Sequence, residues 1–329
     1  MAETPIDLIG VGNALVDSLA NVDDAFLAAE VEGQKGGMML VDTPTLAALK
    51  AKLAGPLSEA PGGSAANTVT AAAGLGTKTA YIGKLGNDEG GEFYARSFEE
   101  MGTDMSRAKV GTVPNGRCLS LVTPDSERTM RTDLGAAMTL APEDLSAADF
   151  AGCRLAHIEG YLLFNPDLMK QVEASAKAAG CEISLDLASF EVVNAAGAGL
   201  LDMLDESIDI VFANEDEAKA VYPAEGEDYE RMARLLAGHC KIAAVKLGKD
   251  GALIASGDEL VKVDADVVKA IDTTGAGDFW AGGFLHGYLA GKSLAECGRL
   301  GSKLGAAIVQ VMGASLPEES WQALRADLA

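Results

Sequence analysis

The sequence predicts an α/β fold with a mainly parallel central sheet covered by helices, and three observations carry that prediction. Short apolar runs of strand length alternate with longer helical patterns along the chain. Several of those runs are nearly continuous in Ile, Val and Leu, the mark of strands buried on both faces. Glycine-rich segments follow strands or open helices, where open α/β sheets present ligand-binding groups.

Taken in order, Ile6–Val11, Thr79–Ile82, Arg154–Ile158, Glu182–Leu187, Ile208–Phe212 and Ile242–Leu247 read as buried strands. Thr68–Gly74, Glu89–Met101, Asp167–Ala179, Tyr229–Leu236 and Ala276–Leu289 read as helices. Two segments break the rhythm. Leu15–Asp42 and Lys109–Asp133 read as β-ribbon with polar alternation, notably at Arg117–Thr123 and Arg128–Asp133. Lacking crossover helices of their own, they are expected to project together as a small β-lid. No linker, fixed-period repeat or low-complexity tail divides the chain, so residues 1–329 read as one domain with the lid inserted.

Composition narrows the partners. The hydrophobic share of 48% is enough for a substantial core, and the net charge of −23 argues against a nucleic-acid backbone or an anionic membrane as partner. Any bound phosphate must then be held by local amides, a few Lys or Arg residues and a metal ion. The N-terminus lacks a basic region followed by an apolar run, and no apolar stretch is long enough to span a bilayer, so a cytoplasmic protein is expected. Cys118, Cys153, Cys181, Cys240 and Cys297 are scattered without a CxxC spacing, as expected of reduced thiols. His157, His239 and His286 are too dispersed to suggest a metal cluster.

The chemistry concentrates in Asp272-Thr273-Thr274-Gly275-Ala276-Gly277-Asp278, directly before the apolar run Phe279–Leu285. Gly275, Ala276 and Gly277 carry almost no side-chain bulk, so a phosphate can approach the N–H groups that the first turn of a helix leaves unpaired. Asp278 then lies at the positive end of the helix dipole, where it can take a proton from an attacking hydroxyl. That pattern reads as phosphoryl transfer to an alcohol. An ordinary helix start with Asp as a cap is the bland alternative.

Two further segments suit a polyol. In Pro61-Gly62-Gly63-Ser64-Ala65-Ala66-Asn67 the glycines let the chain approach a ligand, and Asn67 can both donate and accept hydrogen bonds. Asn13 and Asp17 follow the first strand, and a carboxylate there can grip two vicinal hydroxyls. Each segment could equally be only a cap or a turn. Asn214-Glu215-Asp216-Glu217 follows another strand, where Glu217 can organise Mg²⁺ through water beside nucleotide phosphates. An acidic first turn also favours a helix dipole with no ligand at all. Val245–Gly251 ends a strand in a glycine turn that could line a nucleotide pocket, with Lys246, Gly248, Asn214 and Thr273 as candidates, or be a plain hairpin before Ala252–Ala255.

Together these motifs resemble the ribokinase-like sugar and nucleoside kinases of the PfkB family, over nearly the whole chain. The signature regions look like Gly62–Gly91, with Tyr81-Ile82-Gly83-Lys84-Leu85-Gly86-Asn87-Asp88, and Asp272–Phe284. The resemblance implies a three-layer α/β/α domain with a β-lid, ATP as donor, Mg²⁺ and, in some members, K⁺. It implies Asp278 as catalytic base, Gly275, Ala276 and Gly277 as anion hole, and Asn214 with Glu217 as an N-x-x-E motif for metal and phosphate.

Within the family, Gly12–Asp17, Glu159-Gly160-Tyr161-Leu162-Leu163 and Asp209–Glu215 look most like adenosine kinases. That branch implies Asp17, Gly63 and Asn67 on the ribose hydroxyls and Tyr161 near the base. Arg128 resembles a lid arginine that approaches the transferred phosphate, with Arg131 as rival. Thr274 departs from the branch, giving Asp-Thr-Thr-Gly as in many sugar kinases. The reaction expected is ATP-dependent phosphorylation of the primary hydroxyl of a nucleoside, most simply adenosine to AMP, by a monomer or homodimer. A ribose, fructose or 2-keto-3-deoxygluconate kinase is the alternative. A dinucleotide-binding fold is disfavoured, because Leu15 stands where the third glycine of G-x-G-x-x-G belongs. A non-catalytic ligand-binding protein on this fold has no support from a chain that keeps Asp278.

Overall fold

Six parallel strands, Thr79–Ile82, Ile6–Val11, Cys153–Glu159, Glu182–Asp186, Ile210–Asn214 and Ile242–Lys246, lie side by side in that order. Ala252–Ser256 and Glu259–Val263 extend the sheet antiparallel at one edge, making eight strands. The computed structural model describes residues 5–328 except 54, 56 and 126.

The apolar strands bury both faces. Ile9, Ala156, Ile183 and Val211 meet Leu168, Val172, Leu204, Met232 and Leu236 on one side. These belong to the helices Pro166–Ala178, Gly199–Ser207 and Tyr229–Leu236. Leu8, Leu155, Ile210 and Phe212 meet Val69, Trp280, Ala281, Phe284 and Cys297 on the other. That face is covered by Ser64–Gly74, Ala276–Leu289 and Leu294–Ile308. The three-layer α/β/α arrangement follows from this two-sided burial.

Tyr229–Leu236 and Ala276–Leu289 stand where the sequence pattern puts them. The strand expected at Ile208–Phe212 is displaced to Ile210–Asn214, because Ile208 caps the preceding helix and Asn214 still pairs with Lys246. The helix expected at Thr68 begins at Ser64, directly after Gly63.

A second sheet of five strands runs in the order Met38–Leu40, Arg128–Asp133, Gly116–Val122, Leu15–Asn21, Ser58–Gly62. The ribbon expected over 15–42 is interrupted, contrary to the sequence reading, by the helix Asp24–Glu30, whose first turn is capped by Asp23 accepting from Phe26 N–H at 2.7 Å. A second helix, Thr43–Lys50, follows. Leu27, Leu46 and Leu49 from these helices pack on Leu119 and Leu121, so one face of the sheet is covered. Alternate residues on the other face, Leu15, Asp17, Arg128, Met130 and Thr132, border the large cavity.

Cys118, Cys153, Cys181 and Cys297 are buried and Cys240 is half-buried. No helix among the described residues is long and apolar enough to cross a membrane.

Candidate active site

Two glycine-opened helices point their N-termini into one cleft of about 820 Å³ between the sheets. Gly63 precedes Ser64–Gly74 with φ +103°, and a Cβ there would stand 2.3 Å from Asn13 O. Gly275 precedes Ala276–Leu289 with φ +72° in the left-handed region. Both positions require the conformational freedom of glycine.

Asp278 ends the first turn of the second helix and spends both carboxylate oxygens on the first. Oδ1 accepts from Ser64 Oγ at 2.9 Å and Oδ2 from Asn67 Nδ2 at 2.8 Å. Burial, joined by the negative charge of Asp186, raises its pKa to about 6 against the opposing pull of Asn67, Lys246 and Ser64. In the turn itself, Ala276 N–H is taken by Thr273 O at 3.2 Å. The N–H groups of Gly277 and Asp278 lie in the first helical turn, which has no intrahelical acceptor to offer them. A carboxylate thus sits beside donors suited to an anion.

Asn13, Asp17 and Gly63 line the same cleft. Burial raises the Asp17 pKa to about 6, with Arg128 opposing and Asp278 and Asp272 adding to the rise. Asn13 is fixed from below by Glu159, which is 1% exposed. Glu159 Oε1 accepts from Asn13 N–H at 3.1 Å and from its side-chain amide, and Oε2 accepts from Ala65 N–H at 3.4 Å. Burial pushes the Glu159 pKa up to about 7.

On the far side of Asp278, Lys246 Nζ forms an ion pair with Asp186 at 2.7 Å. Burial disfavours the Lys246 charge, yet the carboxylates of Asp186 and Glu217 outweigh burial and raise its pKa. Asn214 and Glu217 form a reciprocal cap: Glu217 accepts from Asn214 N–H at 2.7 Å and from Nδ2 at 2.8 Å, while Asn214 Oδ1 accepts from Glu217 N–H at 2.9 Å. Burial and the charge of Asp186 both push the Glu217 carboxyl up. Among the described residues no three His, Cys, Asp or Glu side chains converge as a direct cage for a metal ion. The donor set, Glu217 and Asp186 beside a cleft with a lysine, fits an ion held largely by phosphate and water.

Arg128 reaches out of the five-stranded sheet to Thr274, Nη1 donating to Oγ1 at 2.6 Å. Arg131 faces elsewhere: its guanidinium donates to the carbonyls of Glu32, Gly37 and Met130. Tyr161, half-buried in the short 3₁₀ turn Gly160–Phe164, and Thr273 also line the cleft. Gly248 does not. It lies in the exposed turn Gly248–Asp250 beyond Lys246, so the strand end, rather than the glycine turn, borders the cavity. Ser64, Glu159, Asp186 and Asp272 escaped the sequence reading as site residues. Asp186 had one visible signal, a lone carboxylate ending an apolar strand.

Comparison with known proteins gives a consistent set of relatives. The model of the pfkB carbohydrate kinase family matches residues 41–321. An uncharacterized sugar kinase of Archaeoglobus fulgidus is 30% identical, the match covering 73% of this chain and 94% of that one. An adenosine kinase of Saccharomyces cerevisiae is 28% identical over 95% of this chain and 97% of its own. Among solved structures, the adenosine kinase from Sinorhizobium meliloti superposes with a TM-score of 0.89 at 36% identity, covering 98% of this chain and 100% of that one. A probable sugar kinase from Rhizobium etli gives 0.90 at 35%, covering 99% and 100%.

Proposed function

The chain belongs to the pfkB family of carbohydrate kinases, phosphotransferases with an alcohol acceptor, and from that premise we propose that it phosphorylates the primary hydroxyl of a nucleoside, adenosine to AMP, with ATP as donor. One observation carries the nucleoside: the cleft lining is mixed. Asp17, Asn67 and Asn13 offer polar groups for vicinal hydroxyls, and Met38, Leu40, Met130, Met138 and Phe164 add apolar surface to the same cleft. Met138 and Phe164 are 66% and 59% exposed. A purine would cover part of that apolar surface, whereas a free sugar would leave it wet.

In this reading Asp17 and Asn67 hold the ribose, and the reacting hydroxyl reaches Asp278 by replacing one of its present partners. The hydroxyl oxygen bonds to the γ-phosphorus as the bond to the β–γ bridging oxygen breaks. The hydroxyl proton passes to Asp278 and ADP leaves. The N–H groups of Gly277 and Asp278 and the Lys246 ammonium hold the charge on the moving phosphoryl group. Mg²⁺, held by phosphate and water with Glu217 and Asp186 behind it, would neutralise phosphate charge. The five-stranded sheet acts as the lid that excludes water.

The second reading is a sugar kinase of the same family. It draws on the sugar-kinase relatives and on Thr274, which gives the Asp-Thr-Thr-Gly sequence. A screen of nucleosides and sugars for ATP-dependent phosphorylation separates the two.

A further inference from the structure

One hydroxyl joins the five-stranded sheet to the turn that opens the helix Ala276–Leu289. Thr274 Oγ1 accepts from Arg128 Nη1 at 2.6 Å and donates to Asp272 Oδ1 at 2.6 Å. The same Asp272 oxygen takes Thr274 N–H at 2.9 Å, and its other oxygen takes Gly313 N–H at 2.8 Å. Asp272 and Thr274 are 2% and 5% exposed, so these bonds are shielded from water. Their direction is fixed at both ends, because a guanidinium only donates and an ionised carboxylate only accepts. The threonine proton is therefore committed to Asp272, which leaves the oxygen lone pair facing Arg128. Asp17 is the competing acceptor, since it borders the same cleft as Arg128 from the same face of the five-stranded sheet.

We propose that Thr274 is a positioning residue for Arg128. Its hydroxyl, oriented by Asp272, fixes the guanidinium beside the anion-binding turn and keeps it from pairing with Asp17, whose carboxylate must stay free for the acceptor. Thr274 thereby ties closure of the five-stranded sheet to an intact 272–275 turn without itself touching the acceptor. The kinetic consequence rests on the function proposed above, but the contact does not.

The test has two arms. In the free protein, the rate of phenylglyoxal modification of Arg128 is followed by peptide mass spectrometry, with Arg117 on the neighbouring strand as internal control. Thr274→Val should raise the Arg128 rate at least about threefold with Arg117 unchanged, and Thr274→Ser should match the parent, because only the hydroxyl matters. With ATP and adenosine, Thr274→Val should lower kcat/KM at least about tenfold, a loss typical of a hydrogen bond to a charged group. In an Arg128→Gln background the same change should cost less than about twofold, because residues acting through one contact are not additive. Equal Arg128 rates in all three proteins, or a Thr274→Val loss that persists in full without Arg128, would overturn the proposal. Failure of the parent to use adenosine would count against the nucleoside reading alone, since the modification arm needs no acceptor.

Discussion

Asp278 and Asn67 meet at 2.8 Å although 211 residues separate them in sequence. Their helices each begin at a glycine of positive φ, and the two glycine motifs therefore form one site rather than two. The contact explains why a carboxylate can be buried there at all: Ser64 and Asn67 satisfy its oxygens until a hydroxyl arrives.

Asp278→Asn retains size but removes base and charge. Turnover should fall at least ~100-fold with nucleotide binding largely retained. The thermal midpoint at pH 7.5 should be equal to or above the parent's. Burial raises the Asp278 pKa to about 6, so above that pH its ionised form detracts from stability, and the substitution removes that cost. Turnover within a few-fold of the parent would remove Asp278 from the chemistry.

The pH profile should carry the same signature. Asp17 and Asp278 are both raised to about 6, chiefly by burial, and in the proposed reaction both act ionised. Measured kcat/KM should be flat above pH 7 and fall as pH drops through about 6, more steeply than one proton allows, with apparent values belonging to the pair. An acid limb centred near pH 4, the range of ordinary carboxylates, would contradict the burial argument.

Gly63→Ala tests the turn that joins substrate wall to helix. A Cβ would stand 2.3 Å from Asn13 O at a φ of +103°, so stability should fall by about 1–3 kcal/mol. Displacement of Asn13 should raise KM for the acceptor more than KM for ATP. Equal thermal midpoints and unchanged KM values would show the turn to be tolerant.

Glu217→Gln bears on the metal. The reciprocal cap with Asn214 survives in part, because a glutamine oxygen still accepts one N–H. If the carboxylate organises Mg²⁺ through water, the Mg²⁺ concentration for half-maximal activity should rise roughly tenfold in a folded variant. An unchanged Mg²⁺ dependence would leave Glu217 as a helix cap only.

Much of this was legible in the sequence where one local rule decided the outcome. Ala276–Leu289 could be read because a small-residue turn precedes an unbroken apolar run, and Ile6–Val11 because it is apolar on both faces. Asp24–Glu30 was missed because a seven-residue helix between strands carries too few turns for a periodic signal, although Asp23 announces its cap. Asn13, Asp17, Asn67 and Asp278 could be named as candidates from glycine turns and strand ends. Glu159 and Asp186 offered at most a carboxylate at the end of an apolar strand, and their place in the site depends on the pairing of Glu159 with Asp186 across neighbouring strands, which no local spacing encodes. The choice between Arg128 and Arg131 likewise needed the alternation of the five-stranded sheet, which turns one toward the cleft and the other toward the carbonyl of Glu32.

If the acceptor is a nucleoside, kcat/KM for adenosine, 2′-deoxyadenosine, ribose and fructose, measured with ATP and Mg²⁺, will separate it from a free sugar. If Asp17 and Asn67 bind the ribose hydroxyls, removing one leaves buried polar groups unpaired, a loss that can reach several orders of magnitude. If Tyr161 stacks on the base, a free sugar forfeits that stacking, worth about 1–3 kcal/mol in comparable aromatic platforms. Adenosine should therefore exceed 2′-deoxyadenosine clearly and surpass both sugars, and Asp17→Ala should damage binding and turnover together. Efficient phosphorylation of a free pentose, hexose or keto-deoxy acid sugar, with adenosine inert, would contradict the account and leave the sugar kinase in its place.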